Sequence, residues 1–122
     1  MTISQFRRIA VSLPGAEERA HMGRPDFRVG NKIFATLGSP DQLWGMVKLT
    51  PEQQQIYTQN APDAFAPAAG AWGRAGCTLV RLADADPETV GQAMTEAWKL
   101  ARTAPASRAR SGKKKTAKER FA

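Results

Sequence analysis

A chain of 122 residues, 42% hydrophobic and 24% charged, has the length and make-up of one soluble domain with a single core. No apolar run approaches the ~20 residues that span a bilayer, no signal-peptide core opens the chain, and one cysteine excludes an internal disulfide, so a cytoplasmic monomer without a membrane partner is expected. The net charge of +7 is unevenly placed: residues 104–122 hold seven Lys/Arg against Glu119 (+6), leaving eleven basic and ten acidic residues (+1) for residues 1–103. High basicity therefore belongs to the tail and is not by itself an argument that the body binds nucleic acid.

In chain order, Ile3, Phe6, Ile9, Ala10 and Leu13 recur at helical spacing behind Thr2 as N-cap and ahead of Pro14-Gly15, which predicts an amphipathic helix. Glu17 to Met22 reads as a weak strand. Asp26–Val29 and Lys32–Leu37 flank Gly30-Asn31, a two-residue turn suited to a hairpin, which sets Phe27 across from Phe34 and Val29 across from Lys32. That pairing puts Ile33, Ala35 and Leu37 on the other face, so either both faces are partly covered or a bulge shifts the register. Leu43 to Leu49 reads as a strand with Leu43, Val47 and Leu49 on one side and Trp44, Met46 and Lys48 on the other. Thr50-Pro51-Glu52 starts a short helix that ends near Asn60, and residues 63–71 read as irregular. A glycine-rich loop around Trp72 and Arg74 leads into a strand from Cys77 to Leu82. Asp86-Pro87-Glu88 then opens a long helix with Val90, Ala93, Met94, Ala97, Trp98 and Ala101 on one stripe, ending near Thr103.

Strands joined by tight turns, with helices at the ends, predict an α+β fold: a two-layer antiparallel β-sheet packed against the N- and C-terminal helices. The domain is expected to span residues 1–103. Residues 104–122 are too polar to fold alone and read as a basic disordered tail, with Lys113, Lys114 and Lys115 as polyanion contacts or as a solubilising terminus.

The chemistry-bearing residues are sparse. His21 is the single histidine, and no His/Cys/Asp/Glu spacing marks a metal site. Cys77 sits where a strand would place a small hydrophobe, without a base at hand. Gly70 to Gly76 lacks the spacing and the lysine-hydroxyl pair of a phosphate loop. No catalytic residue, metal or cofactor is expected. Trp72 and Arg74 leave two readings open: stacking on a base with a guanidinium on phosphate, or an aromatic capping the sheet with a guanidinium satisfied by the protein. The basic residues Arg24, Arg28, Lys32, Lys48 and Arg81, interleaved with Phe27, Phe34 and Trp44, pose the same choice.

Two stretches carry a resemblance. Gly23-Arg24-Pro25-Asp26-Phe27-Arg28-Val29-Gly30-Asn31-Lys32-Ile33-Phe34-Ala35-Thr36-Leu37 resembles the first signature of the MmcQ/YjbR family. Pro67-Ala68-Ala69-Gly70-Ala71-Trp72-Gly73-Arg74-Ala75-Gly76 resembles its second, followed by a strand and a helix containing Ala97-Trp98-Lys99-Leu100. The similarity runs from about Ile3 to Arg102 and leaves the tail outside. It implies a CyaY-like α+β fold, also described as a double wing, and a DNA-binding label without a catalytic set. Cys77 stands where aromatic residues often follow the second signature, which thins a stacking surface there.

The resulting expectation is a non-enzymatic protein that binds DNA weakly through phosphates, using Arg24, Arg28, Lys32, Trp72 and Arg74. The alternative is a small anionic-ligand or protein-interaction module built around Trp72 and Arg74.

Overall fold

The computed structural model describes residues 1–38 and 41–103. The expected basic tail, with Lys113, Lys114 and Lys115, lies outside the described residues. Helix α1 (Ile3–Ser12) leads into strands β1 (Glu17–His21), β2 (Arg24–Val29), β3 (Lys32–Leu37) and β4 (Trp44–Lys48). Helix α2 (Pro51–Asn60), strand β5 (Phe65–Pro67), the one-turn helix α3 (Gly70–Arg74), strand β6 (Cys77–Arg81) and helix α4 (Pro87–Thr103) follow. The strands form one antiparallel sheet in the order β1-β2-β3-β4-β6-β5. This is the α+β architecture the sequence predicts.

The helix starts follow from their caps. Thr2 and Thr50 each accept a backbone N–H three residues on, while Gln5 and Gln53 reach back to the cap N–H, so each pair satisfies two otherwise orphaned donors. Helices α1 and α4 cover one face of the sheet. Val90, Ala93, Met94, Ala97 and Trp98 of α4 and Phe6 and Ala10 of α1 are buried there against Phe27, Phe34, Ala35, Val47 and Val80. The indole Nε1 of Trp98 donates to the Pro14 carbonyl at 2.9 Å, tying α4 to the exit of α1. Helix α2 leans on β5 and β6, with the Tyr57 and Phe65 ring centroids 5.2 Å apart.

The β2–β3 hairpin resolves the choice left open by its sequence. Both turn residues have positive φ, Gly30 at 58° and Asn31 at 66°, as a two-residue hairpin with right-handed twist requires. Val29 pairs with Lys32 as expected. Phe27, however, pairs with Ala35 and Arg28 with Ile33, so Phe34 is an extra residue on β3 and the expected Phe27–Phe34 pair is not formed. The bulge lets two successive residues, Phe34 and Ala35, both enter the core, which strict alternation forbids.

Three other expectations need correction. Leu43 precedes β4 in a turn and is exposed, so the inner side of that strand is Gly45, Val47 and then Leu49. Residues 63–71 are not all irregular: Phe65–Pro67 pairs with β6 as the edge strand, where a proline's missing N–H costs little. The expected glycine loop contains a helical turn, α3.

Candidate ligand groove on the open sheet face

Among the described residues no helix lies across the face of the sheet opposite α1 and α4, and the register makes it an ordered surface. Asp26 pairs with Thr36, Thr36 with Met46, Met46 with Leu79, and Leu79 with Ala66. Residues in register across a sheet share a face, so these five side chains form one row running from β2 to β5. From Thr36 onward the row is uncharged and half-buried. Two residues along each strand, about 7 Å away, lie the flanking rows of the same face. On one side stand Arg24, Trp44 and Arg81; on the other, Arg28, Ile33, Lys48 and Cys77. An apolar strip thus lies between two basic margins.

Helix α3, just before β6, forms a wall of this face, and two glycines in and after it, Gly73 and Gly76, are explained by backbone contacts. A Cβ on Gly73 would sit 1.8 Å from the Ala68 carbonyl oxygen. A Cβ on Gly76 would sit 1.8 Å from the Leu49 oxygen, and Gly76 also has φ +114°. The Gln54 amide on α2 donates to the Gly73 carbonyl at 3.0 Å and to the Cys77 carbonyl at 2.9 Å, anchoring both ends of the turn. Ala68 N–H donates to the Cys77 carbonyl and Leu49 N–H to the Gly76 carbonyl. The glycines therefore serve the fold, whereas Trp72, 69% exposed, does not fill the core. It lines the groove instead.

That groove has a volume of about 680 Å³ and is floored by Thr36, Met46 and Leu79, with Arg24, Lys48 and Trp72 around it. Cys77 also lines it; burial pushes its thiol above the ordinary range, against the opposing pull of the Lys48 charge, so it is held as a neutral thiol. Asp26 is 1% exposed and is gripped by Arg28, whose Nε and terminal nitrogen donate to the two carboxylate oxygens at 2.8 and 3.1 Å. Bonding to Asp26 raises the Arg28 pKa further. Arg81 lies over the Trp44 ring at 4.5 Å and 3.6 Å from Asp84.

The five residues singled out in sequence do not converge. Arg24 and Trp72 line this groove. Arg28 and Lys32 line a neighbouring hollow of about 460 Å³ by the β2–β3 turn and the end of α4, and Lys48 lines both. Arg74 is exposed on α3 and lines neither. Among the described residues, Arg24, Lys32, Lys48 and Arg74 form no ion pair, whereas Arg28 is committed to Asp26. The supposed interleaving of basic and aromatic residues is also partial: Phe27 and Phe34 are fully buried in the core, and of those three only Trp44 shares the open face. Sequence reading missed Leu79 and Asp26 as parts of the surface and Gln54 as its brace. The alternation Trp44, Met46, Lys48 was the signal that pointed to this face. Among the described residues no group of three His, Cys, Asp or Glu is placed to hold a metal ion. No helix there is long and apolar enough to cross a membrane.

Comparison with known proteins fits this architecture. The YjbR family model matches residues 11–100, well over half of the chain, so the chain belongs to the YjbR family. The crystal structure of Deinococcus radiodurans protein DR2400, with a DUF419 domain, superposes with a TM-score of 0.70 at 20% identity, covering 84% of this chain and 79% of that one. At that identity the likeness speaks for the fold alone. No curated protein matches the chain in sequence.

Proposed function

We propose that this YjbR-family protein is a non-enzymatic DNA-binding protein whose open sheet face receives the nucleic acid. One observation carries the reading: an uncharged row across the sheet, between basic margins and beside an exposed tryptophan. Guanidinium and ammonium groups that form no ion pair among the described residues attract phosphates without reading sequence, while the uncharged row and Trp72 offer contact to base faces. Arg24, Lys48 and Trp72 are the central contacts. Lys32 and Arg74 extend the positive surface, and Arg28 is withheld by Asp26. The near-neutral body makes the binding weak, and Lys113, Lys114 and Lys115 in the tail add sequence-independent affinity. The raised pKa of Cys77 argues against a thiolate nucleophile in the groove, in keeping with a binding role. A lone buried thiol suits a reducing compartment, in keeping with a cytoplasmic protein.

Titrating a fluorescently labelled oligonucleotide from ~50 mM salt upward tests this, with log affinity expected to fall linearly against log salt. The same titration with Lys113, Lys114 and Lys115 replaced by serine separates the tail from the body. Binding that vanishes entirely in that variant assigns the activity to the tail and defeats the groove.

A second reading rests on groove size. About 680 Å³ lies within the ~300–1,000 Å³ of ordinary small-molecule sites, so an anionic ligand carrying a ring would fit the same surface. An increase in melting temperature with an aromatic anion, abolished by Trp72→Ala, would favour it over DNA.

A further inference from the structure

We infer that the open face prefers single-stranded over double-stranded nucleic acid, an inference that rests on the nucleic-acid reading above. The two forms present different chemistry. A duplex offers phosphates and sugars while its base faces are stacked away, and a basic ridge is what such a ligand needs. This face is built otherwise. Its centre is the uncharged row Thr36, Met46, Leu79, and cations occupy only the margins, Arg24 on one side and Lys48 on the other. Trp72 stands over the same groove with 69% of its surface exposed, held there by the Gln54 bonds to Gly73 and Cys77.

An unpaired strand matches each part. Its splayed bases supply flat, weakly hydrated faces for Trp72 and the methionine-leucine floor, and its phosphates lie to the side of the bases, where the basic margins are. A duplex laid on this surface would leave the floor and the indole without partners and could reach only a few cations. Asp26 strengthens the contrast: buried beside the floor, it holds Arg28 in a two-pronged pair and so removes one phosphate contact that a duplex would otherwise use. The tail acts in the opposite sense, since the higher charge density of a duplex attracts it more. A preference for single strands must therefore come from the sheet face.

The test uses the full chain and labelled oligonucleotides of equal length, a mixed-sequence single strand and its duplex, with anisotropy read at ~50 and ~150 mM salt. The single strand is expected to bind more tightly. Trp72→Ala should weaken single-strand binding by roughly 5- to 150-fold, the span that loss of a stacked base covers, and weaken duplex binding by a much smaller factor. Trp72→Phe, which keeps a ring, should retain most of the preference. Because Trp72 is exposed, the variants should melt with the wild type, and a shared melting temperature confirms that the comparison is between folded proteins. Duplex binding equal to or tighter than single-strand binding, or an equal loss of both in Trp72→Ala, overturns the inference while leaving the nucleic-acid reading standing. Failure of both oligonucleotides to bind at the lower salt overturns both.

Discussion

Arg28 and Asp26, two residues apart on β2, hold each other by paired hydrogen bonds of 2.8 and 3.1 Å, and the carboxylate is almost completely buried beneath the guanidinium. The pair sits at the β2 end of the uncharged row, so it both closes that end and decides how much positive charge the face displays. Asp26→Asn keeps the shape of the side chain and removes its charge. Loss of a charge-assisted pair at a buried position should lower unfolding free energy by about 1–3 kcal/mol. The released Arg28 should steepen the salt dependence of DNA binding by about one phosphate contact. Urea denaturation and a salt titration read the two effects, which run in opposite directions. A variant that loses stability without any gain in salt slope would show that Arg28 does not reach the ligand.

The Phe6 ring on α1 lies directly on β4 at Gly45, where an added Cβ would come within 2.7 Å of Cε2 and 2.8 Å of Cζ. Phe6 is fully buried and also packs at 6.2 Å on Phe27, so the ring has little room to yield. Gly45→Ala should therefore destabilise the protein by about 1–3 kcal/mol through overpacking. Shrinking the ring with Phe6→Leu should make the alanine less costly, and a double-mutant cycle measured by urea unfolding would show a coupling that independent sites lack. Additive effects would mean that β4 and α1 move apart together instead.

These contacts show what a sequence carries and where its signal stops. The stripe Val90, Ala93, Met94, Ala97, Trp98 is legible because burial on one side of a helix repeats every three or four residues. The caps at Thr2 and Thr50 are legible because they are local chemistry. The face carrying Trp44, Met46 and Lys48 shows in the alternation of β4, but the row it belongs to depends on the partners of four other strands. One inserted residue, Phe34, reversed the expected side for half of the β2–β3 pairing, and no local feature distinguishes that bulge from a sheet covered on both faces. Gly73 and Gly76 beside Trp72 were visible, yet their reasons, the Ala68 and Leu49 carbonyls, come from elsewhere in the chain. Arg28 looked like Arg24 in sequence because the burial of Asp26 is a tertiary fact.

Gln54 is a half-buried polar side chain with a structural task, since its amide meets two carbonyls of the α3–β6 segment. Replacing it with alanine should cost about 1–2 kcal/mol, the loss of two ordinary hydrogen bonds and the partial stranding of their acceptors. The loss should also be local. Amide hydrogen exchange in the α3–β6 segment should speed up while exchange in α4 follows only the global stability change. If Trp72 acts from a fixed position, single-strand binding should weaken in Gln54→Ala even though Gln54 lies behind the groove. Faster exchange in α3 with binding intact would show that Trp72 needs no brace.

Stability should decline in alkaline solution for a reason visible in two side chains. Burial pushes the Cys77 thiol above its ordinary value of 9.0, with Lys48 pulling weakly the other way. Burial, and then the charge of Glu96, push the Tyr57 hydroxyl above 10.0. In each case the neutral form is favoured in the folded protein. Below the ordinary values both groups are protonated whether the chain is folded or not, and they add no pH dependence. Above about 9 the unfolded chain gives up the Cys77 proton first while the native state retains it, so the native state binds more protons and stability falls with rising pH. The fall continues until pH passes the folded-state value, and Tyr57 adds a second decline beginning near its own ordinary value. Each group contributes at most about 1.4 kcal/mol per pH unit. Urea unfolding at about pH 8, 9, 10 and 11 should show a nearly flat first interval and falling later ones, with Cys77→Ala removing the fall between about 9 and 10 and Tyr57→Phe part of the fall above about 10. Because Lys48 faces Cys77 across the β4–β6 ladder, Lys48→Met should raise the thiol value further and deepen the alkaline loss. Slopes unchanged in Cys77→Ala would place the proton release on other groups and remove burial of the thiol as its cause.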